Sequence, residues 1–251
     1  PHPIRVMLSA STMKIPEERI RVISPDVGGG FGMKIYHYNE EVLVLFAARR
    51  IDRPVRWIAT RSEAFLADTY ARDHATTVKL GLDADGTFLA LKVDTIANMG
   101  AYLSTFAPAV PTFFYGNPFP GPYALRDVHV HVRAAFTNTT PVDAYRGAGR
   151  PEASYVIERL MEKAAHEMNL APDDLRRRNF VPQSAMPYDA KPSLPFDSGD
   201  FGRNLNDAVK KADVEGFAAR RSAAGKDGKL LGLGYSYYVE RTAAGMSDYA
   251  K

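Results

Sequence analysis

Apolar and polar positions along the 251-residue chain change period several times, and each change marks an element. Residues 4–13 carry helix-compatible spacing that stops short of Pro16. Ile20-Arg21-Val22-Ile23 alternates apolar and charged residues, as a half-buried strand does. Asn39 is placed to cap a helix running to Ile51, whose body (Val42, Leu43, Leu45, Phe46, Ala47) is apolar enough to be mostly buried. Pro54 ends that helix, and Val55-Arg56-Trp57-Ile58 reads as a strand. Two strand-like runs, 74–82 and 87–97, flank Asp83-Ala84-Asp85-Gly86, a hairpin signal. Residues 107–123 mix Pro, Gly and aromatics without a period and read as a long ordered loop, a kind of segment that is often functional. Residues 128–134 alternate Val with His and Arg, a further strand. Residues 151–169 have the clearest helical pattern: Pro151 suits the first turn, and Tyr155, Ile157, Leu160, Met161, Ala164 and Met168 supply the buried side. Pro172-Asp173-Asp174 opens a short helix, Asp200 caps another over 201–212, and 230–240 reads as a last strand. Strands and helices interleave without a strict βαβ repeat. The fold class is therefore mixed α/β (α+β), with two subdomains.

Composition narrows the function more than the fold. Hydrophobic residues at 45% and charged residues at 24% suit a globular chain that buries one large core or two smaller ones. The net charge of +3 comes from bases scattered among acids. The densest basic run, Leu175-Arg176-Arg177-Arg178-Asn179, follows Asp173-Asp174 and complements a helix dipole, so it needs no nucleic acid. The absence of cysteine excludes a disulfide framework, a Cys-ligated zinc site and an iron–sulfur cluster on this chain. The longest apolar stretch, 42–48, falls far short of the roughly 20 residues that span a membrane. No membrane partner is expected, and the expected location is the cytoplasm. Pro1-His2-Pro3-Ile4-Arg5 has neither an initiator Met nor a signal-peptide pattern and reads as a cut end. The six histidines lack metal-ligand spacing; His129 and His131 fall on one face of a predicted strand, the exposed one.

Two stretches carry candidate chemistry. In Gly28-Gly29-Gly30-Phe31-Gly32 the glycines let backbone N–H groups approach an anion or oxo group closely. A dinucleotide fingerprint would want glycine at Met33, and a P-loop would want Gly-Lys-Ser/Thr where Met33-Lys34-Ile35 stand. A strained turn is the alternative reading. Far downstream lies Ala144-Tyr145-Arg146-Gly147-Ala148-Gly149-Arg150-Pro151-Glu152-Ala153. Arg146 alone would be an ordinary surface or salt-bridged arginine. Here it follows the Thr137-Asn138-Thr139-Thr140-Pro141 loop and precedes a helix whose N-terminal amides are competent to bind an anion.

Together, in this order, these stretches resemble the large, molybdopterin-binding subunit of the molybdenum hydroxylases, which include xanthine dehydrogenase, aldehyde oxidase and the CO dehydrogenase group. The resemblance runs over nearly the whole chain. It implies part of the molybdopterin-binding domain, with residues 1–180 as a first subdomain and 181–251 as a linker and the start of a truncated second. By the same resemblance Gly29, Gly30, Phe31, Gly32, Tyr145, Arg146 and Gly147 bind the cofactor. Phe31 and Arg146 lie near molybdenum without ligating it, and Phe31 and Gly32 hold the positions that offer backbone amides to an oxo ligand. Arg150 is open to a phosphate of the pterin dinucleotide or to an ordinary salt bridge. Glu240 reads as a solvated strand end, and Pro195-Phe196-Asp197-Ser198-Gly199-Asp200-Phe201 as a turn and cap.

Departures from the family bear on substrate. CO dehydrogenase carries a copper-binding cysteine where this chain has Gly147. The purine contacts of xanthine dehydrogenase correspond to Ile35, Ala148 and, by ungapped counting, Phe114. These three form the expected substrate pocket, and none offers a charged partner to a purine. A CO site is excluded and xanthine is disfavoured. An aldehyde or aromatic N-heterocycle fits better, in an apolar slot lined by Phe113, Phe114, Tyr115 and Phe119. The implied function is hydroxylation of such compounds with water as the oxygen source. The implied cofactor is molybdopterin, as its cytosine dinucleotide, with molybdenum. A medium subunit with FAD and a small subunit with 2Fe-2S centres are the implied partners, in a dimer of heterotrimers. No catalytic residue is assigned: the family's general-base glutamate is expected beyond Lys251, and a glutamine that bonds the oxo ligand before Pro1. The chain alone is therefore expected to be an inactive fragment. The alternative is a non-catalytic scaffold or interaction domain that keeps the fold without the metal.

Overall fold

Asp83 organises the first long-range feature. Its Oδ1 accepts the N–H groups of Asp85 at 3.0 Å and Thr87 at 2.8 Å, while Gly86 takes φ +86°. That closes the expected hairpin between β1 (His74–Leu82) and β2 (Phe88–Gly100). A third strand, β3 (Asp127–Phe136), completes a sheet in the order β1-β2-β3. On β3 the valines turn inward and His129 and His131 outward, as their alternation requires. The computed structural model describes residues 1–240. The end of the expected second segment, 241–251, lies outside the described residues.

The chain divides into two compact units, and it passes between them inside β2 and β3. One unit comprises Pro1–His74, Ala97–Thr112 and Ala134–Ala148. It holds α1 (His2–Met7), α2 (Asn39–Ile51) and α3 (Arg61–Ala67). Its core is small: Tyr36, Val110 and Ala144 form one buried cluster and Met99, Ala107 and Val142 another. Main-chain bonds tie distant segments together, from the Tyr70 N–H to the Pro141 carbonyl (2.8 Å) and from the Asp143 N–H to the Tyr70 carbonyl (2.9 Å).

The other unit comprises Ala75–Ile96, Phe113–Arg133 and the chain from Gly149 onward. It carries α4 (Arg150–Glu167), α5 (Pro172–Asn179), α6 (Phe201–Lys211) and α7 (Phe217–Lys226). Here the core is large, with Phe88, Leu91 and Val93 of β2 against Ile157 and Met161 of α4, Leu175 of α5 and Leu205 of α6. Asp200 caps α6 as expected, its Oδ1 accepting the Arg203 N–H at 2.9 Å. Asn179 docks the hairpin on α5: its Oδ1 accepts from Phe88 N–H (2.8 Å), and its Nδ2 donates to the Gly86 carbonyl (2.9 Å).

The centre of this unit is a buried ion network. Arg176 is fully buried, and its Nη2 lies 2.8 Å from Glu158 Oε2 and 2.9 Å from Glu162 Oε1. Glu158 also accepts the Tyr123 hydroxyl (2.5 Å) and the Tyr237 N–H (2.8 Å). Burial works against the charge on Arg176, but the carboxylate of Glu158, with Tyr123 and Glu162, outweighs it and holds the guanidinium above its ordinary pKa. Burial, reinforced by Glu158, pushes the Tyr123 phenol up as well.

Several expectations are corrected. Residues 20–23, 55–58 and 230–240 form no strand among the described residues. Alternation specifies a face, but a strand also needs a neighbour to complete its ladder, and these segments have none. The body of α2 is not buried: Leu43 and Phe46 remain 60% and 62% exposed, because nothing among the described residues covers that side. Residues 4–13 divide into α1 and a wider helical turn (Leu8–Met13), and a similar turn (Val110–Phe114) interrupts the expected loop at 107–123. Tyr115 and Phe119 belong to the core cluster of their unit rather than to an open slot. On α4 Tyr155 is 68% exposed and Glu158 takes a place on the buried side. The basic run at 175–179 ends a helix with acids in its first turn, as expected, and within it Arg176 is fully buried.

Removing one member of a buried ion pair strands the other without compensation. Arg176→Met is expected to lower stability by about 3–5 kcal/mol, read as a shift in the urea unfolding midpoint. A wild-type midpoint would show that the network carries no net stability.

Candidate functional site

Residues 28–32 and 144–148 of the two sequence-predicted stretches lie in the first unit, and the structure brings them together. The contact begins at Gly32. Its φ is +104°, and a Cβ there would lie 2.2 Å from the Ala144 carbonyl oxygen, so only glycine permits this approach. Phe31, at φ +52°, then offers its carbonyl to the Arg146 N–H at 2.9 Å. Tyr36 donates its hydroxyl to the Ala144 carbonyl. Beside it the Tyr38 hydroxyl reaches Asp68 Oδ1 (2.5 Å) and the Met33 carbonyl (2.9 Å). The loop at 28–34 is thus fastened at its C-terminal end, where the chain enters α2.

The second loop is held from behind. Asp143 is fully buried and accepts the N–H groups of Phe106 (3.0 Å) and Ala144 (2.5 Å). Arg72 donates from Nη2 to the Arg146 carbonyl at 2.5 Å and the Tyr145 carbonyl at 3.3 Å, and its guanidinium lies 5.1 Å from the centre of the Tyr145 ring. The Ala148 N–H returns to the Tyr145 carbonyl (2.7 Å), and positive φ values at Gly147, Ala148 and Gly149 turn the chain sharply into α4.

What remains open is the donor side. Among the described residues the amides of 28–32 make no hydrogen bond within the protein. A Cβ on Gly28 would meet nothing within 4 Å. The Arg146 side chain is exposed and pairs with no carboxylate among the described residues; its guanidinium lies 5.7 Å from the centre of the Phe31 ring. The donor set fits a group that brings acceptor oxygens, such as oxo or phosphate, because every open group here is an N–H donor. Among the described residues no three of His, Asp or Glu gather as a metal site.

The expected pocket residues are divided between the units. Ile35 and Ala148 lie in the first, where Ala148 packs on the cluster of Tyr36, Val110 and Ala144. Phe114 lies in the second, in edge contact with Phe113 (5.4 Å) and with the Arg150 guanidinium 5.5 Å from its ring centre. Arg150 is paired with Glu240 at 2.6 Å, the ordinary salt bridge of the two alternatives. Arg72, Tyr36, Tyr38 and Asp143 went unrecognised in the sequence. Asp143, directly before the arginine motif, carried a usable signal; a lone Arg72 outside any motif carried none.

The profile of the molybdopterin cofactor-binding domain matches residues 1–180, and the chain belongs to that family. The CO dehydrogenase large chain of Hydrogenophaga pseudoflava is 33% identical over 98% of this chain and 31% of its own length. The nicotine 6-hydroxylase large subunit of Paenarthrobacter nicotinovorans is 31% identical over 96% of this chain and 29% of its own length. The crystal structure of quinoline 2-oxidoreductase from Pseudomonas putida 86 superposes with a TM-score of 0.87 at 35% identity, covering 94% of this chain and 30% of that one. Its relatives are oxidoreductases of the molybdenum hydroxylase family, and the chain spans about a third of their length.

Two expected outcomes follow from this geometry. Gly32→Ala combines a disallowed φ with a backbone collision and should cost about 1–3 kcal/mol, whereas Gly28→Ala should be neutral or stabilise by up to about 1 kcal/mol. Equal urea midpoints for the two variants would contradict the close approach. Burial drives the Tyr36 phenol up to about 12 against a lowering hydrogen bond from Thr69, with the charges of Asp143 and Asp68 adding to the rise. Folding therefore favours the neutral phenol; its contribution is complete below pH 10 and is lost as pH rises through 12. Relative to wild type, Tyr36→Phe should lose stability less steeply over that window, by up to about 1.4 kcal/mol per pH unit. Parallel pH profiles would rule this out.

Proposed function

We propose that this chain is the part of a molybdenum hydroxylase large subunit that faces the cofactor, in an enzyme that hydroxylates aldehydes or aromatic N-heterocycles with water as the oxygen source. One observation carries the reading: Arg146 has its backbone fastened on both sides, while its guanidinium and the amides of 28–32 have no hydrogen-bond partner among the described residues. Residues 1–180 form the first molybdopterin-binding subdomain, and 181–251 the linker and start of a second. The cofactor is the cytosine dinucleotide form of molybdopterin with molybdenum. When bound, it supplies the redox centre and the activated water. The residues of this chain bind and orient it: Gly29, Gly30, Phe31 and Gly32 through main-chain N–H groups, Tyr145 and Gly147 by shaping the opposite loop, and Arg146 by its charge. Preorganised donors of this kind need no reorganisation as charge develops in the reaction.

The substrate class rests on what the loops lack. Gly147 stands where CO dehydrogenase has its copper-binding cysteine, and the chain has no cysteine at all. Ile35 and Ala148 offer no hydrogen bond from a side chain, so a purine would leave polar groups unmet at about 1–3 kcal/mol each. The names of the quinoline and nicotine relatives favour an aromatic N-heterocycle. Electrons leave through an iron–sulfur small subunit and an FAD-binding medium subunit, in a dimer of heterotrimers.

The test uses the protein that carries this chain, isolated with its partner subunits. Wild type is expected to contain molybdenum and to oxidise aromatic aldehydes or N-heterocycles with an artificial acceptor, ahead of xanthine and CO. The double variant Phe31→Ala with Arg146→Ala is expected to lose metal or to fall by roughly 10²–10³ in kcat. Metal-free wild-type protein would favour a scaffold, and preferred xanthine turnover would overturn the substrate class.

A further inference from the structure

The Arg146 peptide is fastened from two directions by different parts of the chain. Its N–H donates to the Phe31 carbonyl at 2.9 Å, and its carbonyl accepts from Arg72 Nη2 at 2.5 Å. Among the described residues no main-chain group donates to that carbonyl, so Arg72 alone fixes the peptide plane that leads out of Arg146. Arg72 is itself well anchored. On one side Tyr70 is bonded through its main chain to Pro141 and Asp143. On the other, Asp73 accepts the Asn98 N–H at its carbonyl (2.9 Å) and the Asn98 Nδ2 at its carboxylate (2.8 Å). Asn98 is in turn held by Thr137 and Thr139. A side chain rooted in so firm a segment, with its planar head stacked on Tyr145, can transmit that firmness to the loop it touches.

The consequence lies at the Arg146 side chain. The turn that follows Arg146 contains two glycines and is intrinsically permissive. Without a bond to its carbonyl, the Arg146 peptide could rotate while the Phe31 contact survived, and the guanidinium would swing with it. We infer that Arg72 is a positioning residue, which sets the direction of the Arg146 guanidinium toward the anionic or oxo part of the cofactor. The inference rests on the functional reading above. It assigns Arg72 no contact with the cofactor.

The experiment takes the complete enzyme and compares wild type, Arg72→Ala, Arg72→Lys and Arg146→Ala. Two quantities are read: molybdenum per chain by mass spectrometry, and the Mo(V) paramagnetic resonance spectrum of the metal retained. Arg72→Ala is expected to lose about tenfold or more in metal content, as loss of outer-shell partners commonly does, and to shift the spectrum of what remains. Arg72→Lys keeps the charge and a donor but not the planar stack, and should fall between wild type and Arg72→Ala with a shifted spectrum. An Arg72→Ala protein with wild-type metal and spectrum, beside a depleted Arg146→Ala, overturns this inference alone. A loss of metal that only tracks loss of folded protein, with the residual spectrum unshifted, also overturns it, because that is what a purely structural arginine would do. Wild-type metal content in Arg146→Ala, together with a wild-type spectrum and wild-type turnover, overturns the functional reading and this inference with it. If Arg72→Ala does not fold, Arg72→Lys carries the test, and a wild-type spectrum at full occupancy decides against positioning.

Discussion

The Cα of Gly32 and the carbonyl of Ala144 approach so closely that no side chain fits between them. Two loops from distant parts of the sequence therefore meet backbone to backbone, and the other bonds of the site depend on that register. With Gly32 in place, the Phe31 carbonyl falls within reach of the Arg146 N–H, and the Tyr36 hydroxyl within reach of the Ala144 carbonyl. Main-chain contacts of this kind tolerate change in most side chains but not at the glycine. Gly32 takes its positive φ without cost, whereas the positive φ at Phe31 is local strain at the point of approach.

The second unit solves a different problem with different means. Residues 230–240 run irregularly, with no ladder of their own, yet part of this stretch is held in place. Glu158 accepts the Tyr237 N–H, and the Tyr237 hydroxyl donates to the Phe201 carbonyl at 3.2 Å. A buried carboxylate with three partner residues is costly to assemble, and an apolar replacement of the whole network could be as stable. What the charges add is direction, because they fix one path for a segment that has no strand partner to define it. Glu240 then ends that segment against Arg150, at the first turn of α4.

Much of this was legible in the sequence, for a consistent reason. The hairpin, α4, α5 and α6 rest on local rules, namely turn chemistry at Asp83-Gly86, a proline in a first helical turn, and an aspartate cap at Asp200, whereas the two chemical loops were read only from their joint resemblance to a family. The failures all concern partners. Alternation at 20–23, 55–58 and 230–240 was real, but a period names a face and not the element that will cover it. The same holds for α2, whose apolar body was correctly seen and remains exposed among the described residues. Tyr155 lies outside its expected place, and Glu158, three positions along the helix, is buried instead with Arg176, a pairing between separate helices that no local rule reveals. Arg72 was invisible for a related reason: its role lies in two carbonyls more than seventy residues away.

Arg176 and Arg146 illustrate how a structural arginine differs from a functional one. The sequence placed the first in a basic helix end, and the fold buries it completely against two carboxylates. The second sits in the open with no acid partner among the described residues, although its backbone is among the most constrained in its unit. Unpaired donors cost little while water can reach them. They become expensive once something covers them, about 1–3 kcal/mol for each N–H left unmet. On the proposed reading, the amides of 28–32 and the Arg146 guanidinium would act as a filter on what binds there. A purely apolar group would strand every one of them, whereas a group bearing oxo or phosphate oxygens would satisfy them without any movement of the loops. The constraint that fixes the loops and the chemistry that selects the ligand are two sides of one arrangement, because the backbone groups not spent on holding Gly32 against Ala144 are those left free to bind.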